Sequence, residues 1–302
     1  MPSCGYRVGG ERVGVLLVER KQQIPHRLTP VRNDKHFLFR TVRSLLATGH
    51  WQLTAGFMTW IKICGMTNLE DALTAVEAGA DAVGFVFYEK SPRNIGVEAA
   101  REIVEKLPES VEKIGVFVNG SEPNPLDVLL DAGLTGTQNY FLGANGKEPV
   151  GGAKAIEVSL LPKRARFLMA LPLNLLGDEE QVPTIEFDFT RWGKNLPEGI
   201  SIPEGLMDTF VLDSGDLRMP GGTGKTFDWE RALPIAEAMR RGGVKLVVAG
   251  GLTAENVAEA IGILKPWGVD VASGVEARPG KKDPEKVRAF VKAVREIDRK
   301  TS

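Results

Sequence analysis

Cys64 closes the apolar run Trp60-Ile61-Lys62-Ile63, and a thiol at the end of a buried strand is presented to whatever cleft that strand opens on. The chain has three histidines, His26, His36 and His50, and all precede residue 51. An enzyme built from the remainder has no imidazole, so moving protons falls to a thiol and a carboxylate. Asp213 is the matching carboxylate, at the end of Phe210-Val211-Leu212. Partial desolvation there would raise its pKa and let it act as a general acid. Each residue also has a plainer reading: a cysteine is often a small core residue, and a strand-terminal aspartate a cap or ion-pair partner. A proton-accepting Cys64 needs access and a thiolate-favouring neighbour such as a lysine.

Two glycine-rich turns come later, Ala249-Gly250-Gly251-Leu252-Thr253 and Ala272-Ser273-Gly274-Val275-Glu276. Glycine lets backbone N–H groups approach an anion, and a following helix adds a favourable dipole. Either turn alone reads equally as a tight strand-to-helix connection; both together point to a phosphate site. Arg93, in Lys90-Ser91-Pro92-Arg93-Asn94, is either a solvated charge or a bidentate partner for a substrate carboxylate. Gly221-Gly222-Thr223-Gly224-Lys225-Thr226 has the look of a nucleotide-binding loop. That motif requires glycine at 219, where the chain has Met219, so a glycine-rich active-site loop is the better reading.

The elements that must position these groups alternate from residue 60 onward. Strands are expected at 61–64, 82–88, 113–118, 134–138, 167–171, 209–212, 245–249 and 269–272, the continuous apolar run at 82–88 being suited to burial on both faces. Helices are expected at 68–78 (capped by Thr67 or Asn68 and ended by Gly79), 97–107, 127–132, 229–241, 254–264 and 284–297. Residues 172–206 carry Pro172, Pro183, Pro197 and Pro203 with no periodicity and read as an irregular insertion. Eight strand–helix units over about 240 residues predict an α/β fold, a single-domain (β/α)8 TIM barrel, with a doubly wound open sheet as the alternative. In such a barrel the strand C-termini carry the site, which collects Cys64, Arg93, Asp213 and the two glycine turns.

The formal net charge of −1 gives no reason to expect nucleic acid or a membrane surface as partner, and no apolar run reaches 18 residues. The two cysteines, Cys4 and Cys64, form no disulfide framework, so a reducing, cytoplasmic setting is expected. Residues 1–58 carry nine Lys or Arg against three acids, a net +6, leaving −7 for the rest. Residues 1–57 are expected to be a non-core extension: poorly ordered, a targeting presequence, or upstream sequence from a mis-called start, the last favoured by Met58 just before the first strand. The barrel is then 58–302.

Taken jointly, the motifs resemble phosphoribosylanthranilate isomerase, a barrel enzyme of tryptophan biosynthesis. They are Lys62-Ile63-Cys64-Gly65, Gly84-Phe85-Val86-Phe87 with Ser91-Pro92-Arg93, Gly115-Val116-Phe117-Val118-Asn119, Leu212-Asp213-Ser214, Gly221–Gly224, Ala249-Gly250-Gly251-Leu252, and Val269 through Glu276. The likeness covers about residues 60–138 and 209–298. It implies an Amadori rearrangement of N-(5-phosphoribosyl)anthranilate to 1-(2-carboxyphenylamino)-1-deoxyribulose 5-phosphate, without metal or organic cofactor. It further implies Asp213 as acid, Cys64 as base, and Arg93 on the anthranilate carboxylate. Gly250, Gly251, Ser273 and Gly274 would hold the phosphate, Gln138 would bind substrate, and Gly222 would lie in a closing loop. The chain is expected to bind a phosphosugar, not nucleic acid or membrane, as a monomer or homodimer. One departure stands out: where the family's fourth strand reads Val-Gln-Leu-His-Gly, this chain has Thr137-Gln138-Asn139-Tyr140-Phe141, with tyrosine for histidine. A related phosphosugar barrel enzyme, or a catalytically weak phosphosugar-binding barrel, remains as the alternative.

Overall fold

The computed structural model describes residues 58–118, 123–140, 165–172, 208–214 and 226–301, with the backbone of a short antiparallel pair, Arg7–Val8 with Glu11–Arg12. Eight parallel strands close a barrel: β1 (Trp60–Cys64), β2 (Ala82–Val86), β3 (Glu112–Val118), β4 (Gly136–Tyr140), β5 (Arg166–Pro172), β6 (Thr209–Asp213), β7 (Lys245–Ala249) and β8 (Gly268–Val271). Each pairs with the next, and β8 returns to β1 with Val269 opposite Ile61. The open-sheet alternative is excluded by that last pairing. The described helices are α1 (Leu69–Ala78), α2 (Val97–Val104), α3 (Pro125–Asp131), α4 (Trp229–Arg241), α5 (Val257–Leu264) and α6 (Pro284–Thr301). A short pair, β9 (Glu276–Arg278) with β10 (Lys281–Lys282), precedes α6. The irregular insertion expected over 172–206 lies, beyond Pro172, outside the described residues.

Strand alternation sorts the apolar residues into two cores. Ile61, Ile63, Val83, Phe85, Phe210, Leu212, Leu246, Val248, Val269 and Val271 face outward and pack with the helices. Trp60, Cys64, Ala82, Ile114, Val116, Tyr140, Leu168, Ala170, Val211, Val247 and Ala249 form a separate cluster inside the barrel. Outward burial of this kind stabilises by roughly 25 cal/mol per Å² of apolar surface. The floor of the barrel is aromatic: Trp60 and Trp267 stack at 5.1 Å, and the Arg166 guanidinium lies 4.8 Å from the Trp267 ring.

Local chemistry sets the boundaries. Asn68 caps α1 by accepting from the Asp71 N–H, and Gly79 ends it in the left-handed region at φ 98°. Asn124 caps α3 with Pro125 in its first turn, so this helix starts two residues before the expected 127. β4 runs two residues later than expected, which makes Tyr140 its last residue and puts Tyr140 on the same face as Gln138. The helix α6 outlasts the expected 297 because Asp298 is needed there: its carboxylate accepts from the Thr59 N–H and hydroxyl, tying the last helix to the entry of β1.

Candidate active site

A cleft opens at the C-terminal ends of the strands, about 680 Å³ when the solvent at its mouth is included. Cys64, Arg93, Gln138, Asp213, Gly250, Gly251, Ser273 and Gly274 all line it, as do Tyr140 and Asp270. The structure thus brings together every candidate from the sequence except Gly222, which lies outside the described residues.

Beneath the cleft lies a charged layer inside the barrel. Lys62, two residues before Cys64 and on the same face, is fully buried; its Nζ donates to Asp270 Oδ2 at 2.8 Å and to Gln138 Oε1 at 2.9 Å. Burial opposes its charge, but Asp270 and the neighbouring Cys64 hold the ammonium pKa above the usual lysine value. Asp270 Oδ1 is buried and has no hydrogen-bond partner among the described residues. A carboxylate oxygen left bare at a cleft wall is a ready acceptor for a ligand hydroxyl.

The Cys64 thiol feels opposing forces. Burial pushes its pKa up; the positive charges of Lys62 and Lys282 pull it down, and Asp270 adds a further upward push. Burial prevails, so the thiol rests neutral in the open cleft. Space for it comes from β2: a Cβ on Gly84 would sit 2.7 Å from Cys64 Sγ and 3.0 Å from Lys62 Cε.

Arg93 is not a free surface charge. It is 8% exposed, and its Nε and Nη2 donate to the two Glu276 oxygens at 2.8 Å each. Lys282 Nζ adds a third contact to Glu276 at 3.0 Å. Burial would raise the Glu276 pKa, but these cations hold it below the ordinary carboxylate value. The side edge of the Arg93 fork is therefore already used, and only its end-on edge remains for a ligand.

Asp213 ends β6 and is 3% exposed; its Oδ2 accepts a 2.6 Å hydrogen bond from the Tyr140 hydroxyl. Opposite it, Gly250 and Gly251 have φ of 88° and 63°, in the left-handed region. A side chain at Gly250 would collide with Ser214, and one at Gly274 with the Leu252 carbonyl. Asn256 braces the first turn, accepting from the Thr253 N–H and donating to the Gly251 carbonyl. Lys62, Asp270, Glu276 and Lys282 had no role assigned from sequence. The signal for Lys62 was present, since a lysine two positions from Cys64 in a strand must share its face.

A family model described as N-(5'phosphoribosyl)anthranilate (PRA) isomerase matches residues 61–134 and 202–293. The N-(5'-phosphoribosyl)anthranilate isomerase of Rubrobacter xylanophilus is 43% identical over 239 residues, covering 79% of this chain and all of the relative. That of Thermotoga maritima is 39% identical over 235 residues, 78% of this chain and 98% of the relative. Among solved structures, a phosphoribosyl anthranilate isomerase in complex with reduced 1-(o-carboxyphenylamino)-1-deoxyribulose 5-phosphate aligns with 36% identity and a TM-score of 0.56, over 79% of this chain and all of that one. A structure of monomers generated from the dimeric Thermotoga maritima enzyme aligns with 35% identity and a TM-score of 0.55, over 79% of this chain and 99% of that one.

Proposed function

The chain belongs to the N-(5'-phosphoribosyl)anthranilate isomerase family of tryptophan biosynthesis, and on that footing we propose that Asp213 is its general acid and Cys64 its general base. The enzyme converts N-(5'-phosphoribosyl)anthranilate to 1-(2-carboxyphenylamino)-1-deoxyribulose 5-phosphate. Asp213 gives its proton to the ring oxygen as the bond from that oxygen to the anomeric carbon breaks, and the anilino nitrogen lone pair forms an iminium. The iminium acidifies the neighbouring C2 proton, which the Cys64 thiolate removes. The resulting enolamine takes a proton at C1 and loses one from the C2 hydroxyl to become the ketone.

The observation that carries this reading is the shared cleft: a thiol and a carboxyl from β1 and β6 line it, with lysine charge beneath the thiol. In the open cleft the thiol is neutral, and the positive iminium beside it in the complex favours the thiolate. Asp270 Oδ1 accepts from a ribose hydroxyl. The end-on edge of Arg93 holds the anthranilate carboxylate, with Glu276 fixing the guanidinium. The turns at Gly250–Gly251 and Ser273–Gly274 present backbone N–H groups to the phosphate. The dimeric Thermotoga maritima relative supports a homodimer, and a site that needs a free thiol suits the cytoplasm.

The test follows the loss of phosphoribosylanthranilate fluorescence with the substrate generated in situ. Decay that vanishes in Cys64→Ala and in Asp213→Asn supports the roles assigned; undiminished turnover in either variant refutes that residue's role. A phosphosugar-binding barrel without turnover would be indicated by folded wild-type protein that binds the reduced product analogue yet produces no decay.

A further inference from the structure

Tyr140 and Asp213 sit on strands that are not neighbours. β4 and β6 are separated by β5, so the hydrogen bond between them crosses the barrel interior rather than following the sheet. The register explains how the reach is made. Tyr140 pairs with Ala170, and Ala170 with Val211. Asp213 lies two residues beyond Val211 on the same face, one step nearer the cleft. On the intervening strand the small Ala170 stands at the level of Tyr140, and Pro172 pairs with Asp213. Both side chains are buried, at 4% and 3% exposure, and both line the cleft.

From this geometry we infer that Tyr140 is a positioning residue for the acid step: its hydroxyl holds the Asp213 carboxyl in place and stabilises the carboxylate left after Asp213 protonates the ring oxygen. The inference rests on Asp213 being the acid. The step is a plain proton transfer. The proton passes from the carboxyl to the ring oxygen, that oxygen keeps the electron pair of the broken bond, and the nitrogen lone pair completes the iminium. Charge therefore grows on Asp213 during the transfer, and a donor already aimed at it gains strength as the transition state forms. The 2.6 Å separation is a close O–H···O hydrogen bond, so the donor is in place before the proton leaves. Burial, with the Asp213 charge added, pushes the Tyr140 hydroxyl well above the ordinary phenol value, so it stays protonated and acts as a donor throughout. Among the described residues, the other ionisable groups that act on the Tyr140 hydroxyl are Cys64 on β1 and Asp270 on β8, the latter tied to Lys62. All are retained when the tyrosine alone is changed.

The test is Tyr140→Phe in the full-length chain, which removes one oxygen and keeps the ring. Two quantities are read: steady-state kcat and KM, and the Asp213 carboxyl titration by carbon NMR of aspartate-labelled protein, its resonance assigned by loss in Asp213→Asn. A lost hydrogen bond to a charged group predicts a fall in kcat of roughly 10- to 100-fold with little change in KM. The same loss raises the Asp213 pKa by about one to two units, because the donor favours the ionised form. Wild-type kcat with an unmoved titration would overturn the proposal, as would a change confined to KM, which marks a wall residue. If Asp213→Asn keeps full turnover, the acid assignment fails first and independently. Should Tyr140→Phe not fold, a fluorotyrosine at 140 keeps the shape with a more acidic hydroxyl. It should move the Asp213 titration downward, and no movement would refute the inference.

Discussion

Gly84→Ala places one methyl group against the thiol proposed as the general base, from a strand to which no reacting group is assigned. The added Cβ would lie 2.7 Å from Cys64 Sγ, 3.0 Å from Lys62 Cε and 3.2 Å from the Cys64 Cα. Ordinary contact begins near 3.4 Å, so Sγ must retreat by about 0.7 Å. The backbone atom cannot yield as readily, so the thiol rotates and the strand shifts slightly. Overpacking of this kind costs about 1–3 kcal/mol of stability, a loss a barrel of this size tolerates. Catalysis suffers more, since misplacing a reacting group by about 1 Å can cost on the order of 100-fold. The assay is kcat by substrate fluorescence alongside the thermal midpoint, with the double variant Gly84→Ala/Cys64→Ala completing the cycle. Removing Sγ should restore part of the lost stability, giving a coupling of about 0.5–3 kcal/mol between the two positions. A Gly84→Ala enzyme with kcat within a few-fold of wild type, or stability effects that simply add, would refute the claim that this glycine exists to seat the thiol.

Lys62→Met combined with Asp270→Asn, in a Cys4→Ser background, removes the buried ion pair without stranding either charge. Lys62 lowers the Cys64 pKa by more than Asp270 raises it, so thiolate absorbance should appear at higher pH than in the parent, and an unchanged titration would dismiss Lys62 as the thiol's partner. Gly250→Ala should weaken phosphate-bearing ligands about 10-fold or more while sparing the phosphate-free analogue, because its Cβ collides with Ser214 at a φ of 88°; equal loss for both ligands would argue against a phosphate turn. Arg93→Lys should raise KM with kcat nearly intact, since lysine cannot serve Glu276 and a carboxylate at once; an unchanged KM would remove Arg93 from the substrate. Removing residues 1–57 should leave the thermal midpoint and kcat unchanged, because the barrel closes through β1 from Trp60 onward, and a drop of several degrees would show that the extension packs on it.

Much of this protein is written along the chain. Apolar runs near Ile61, Val83, Ile114, Val211, Val247 and Val269 demand strands buried on both faces, and strands appear at each of them, whereas β4, with Thr137, Gln138 and Asn139 at its centre, carries no such run. Period-two alternation places Lys62 with Cys64 on a common face, and Gly250–Gly251 announces a turn that only glycine can make. These are local properties, set by side-chain volume and backbone sterics within a few residues. What the local pattern could not carry is who faces whom across the barrel. Lys62 meets Asp270 across 208 positions, Arg93 meets Glu276 across 183, and Tyr140 meets Asp213 across 73. Such pairings exist only once the sheet has closed with one register, because closure decides which inward-facing groups share a level. From sequence Arg93 read as a free fork or a solvated charge, and only the fold shows it braced by Glu276. Tyr140 likewise reads along the chain as a substitution at the end of a strand; the tertiary structure sets its hydroxyl against Asp213.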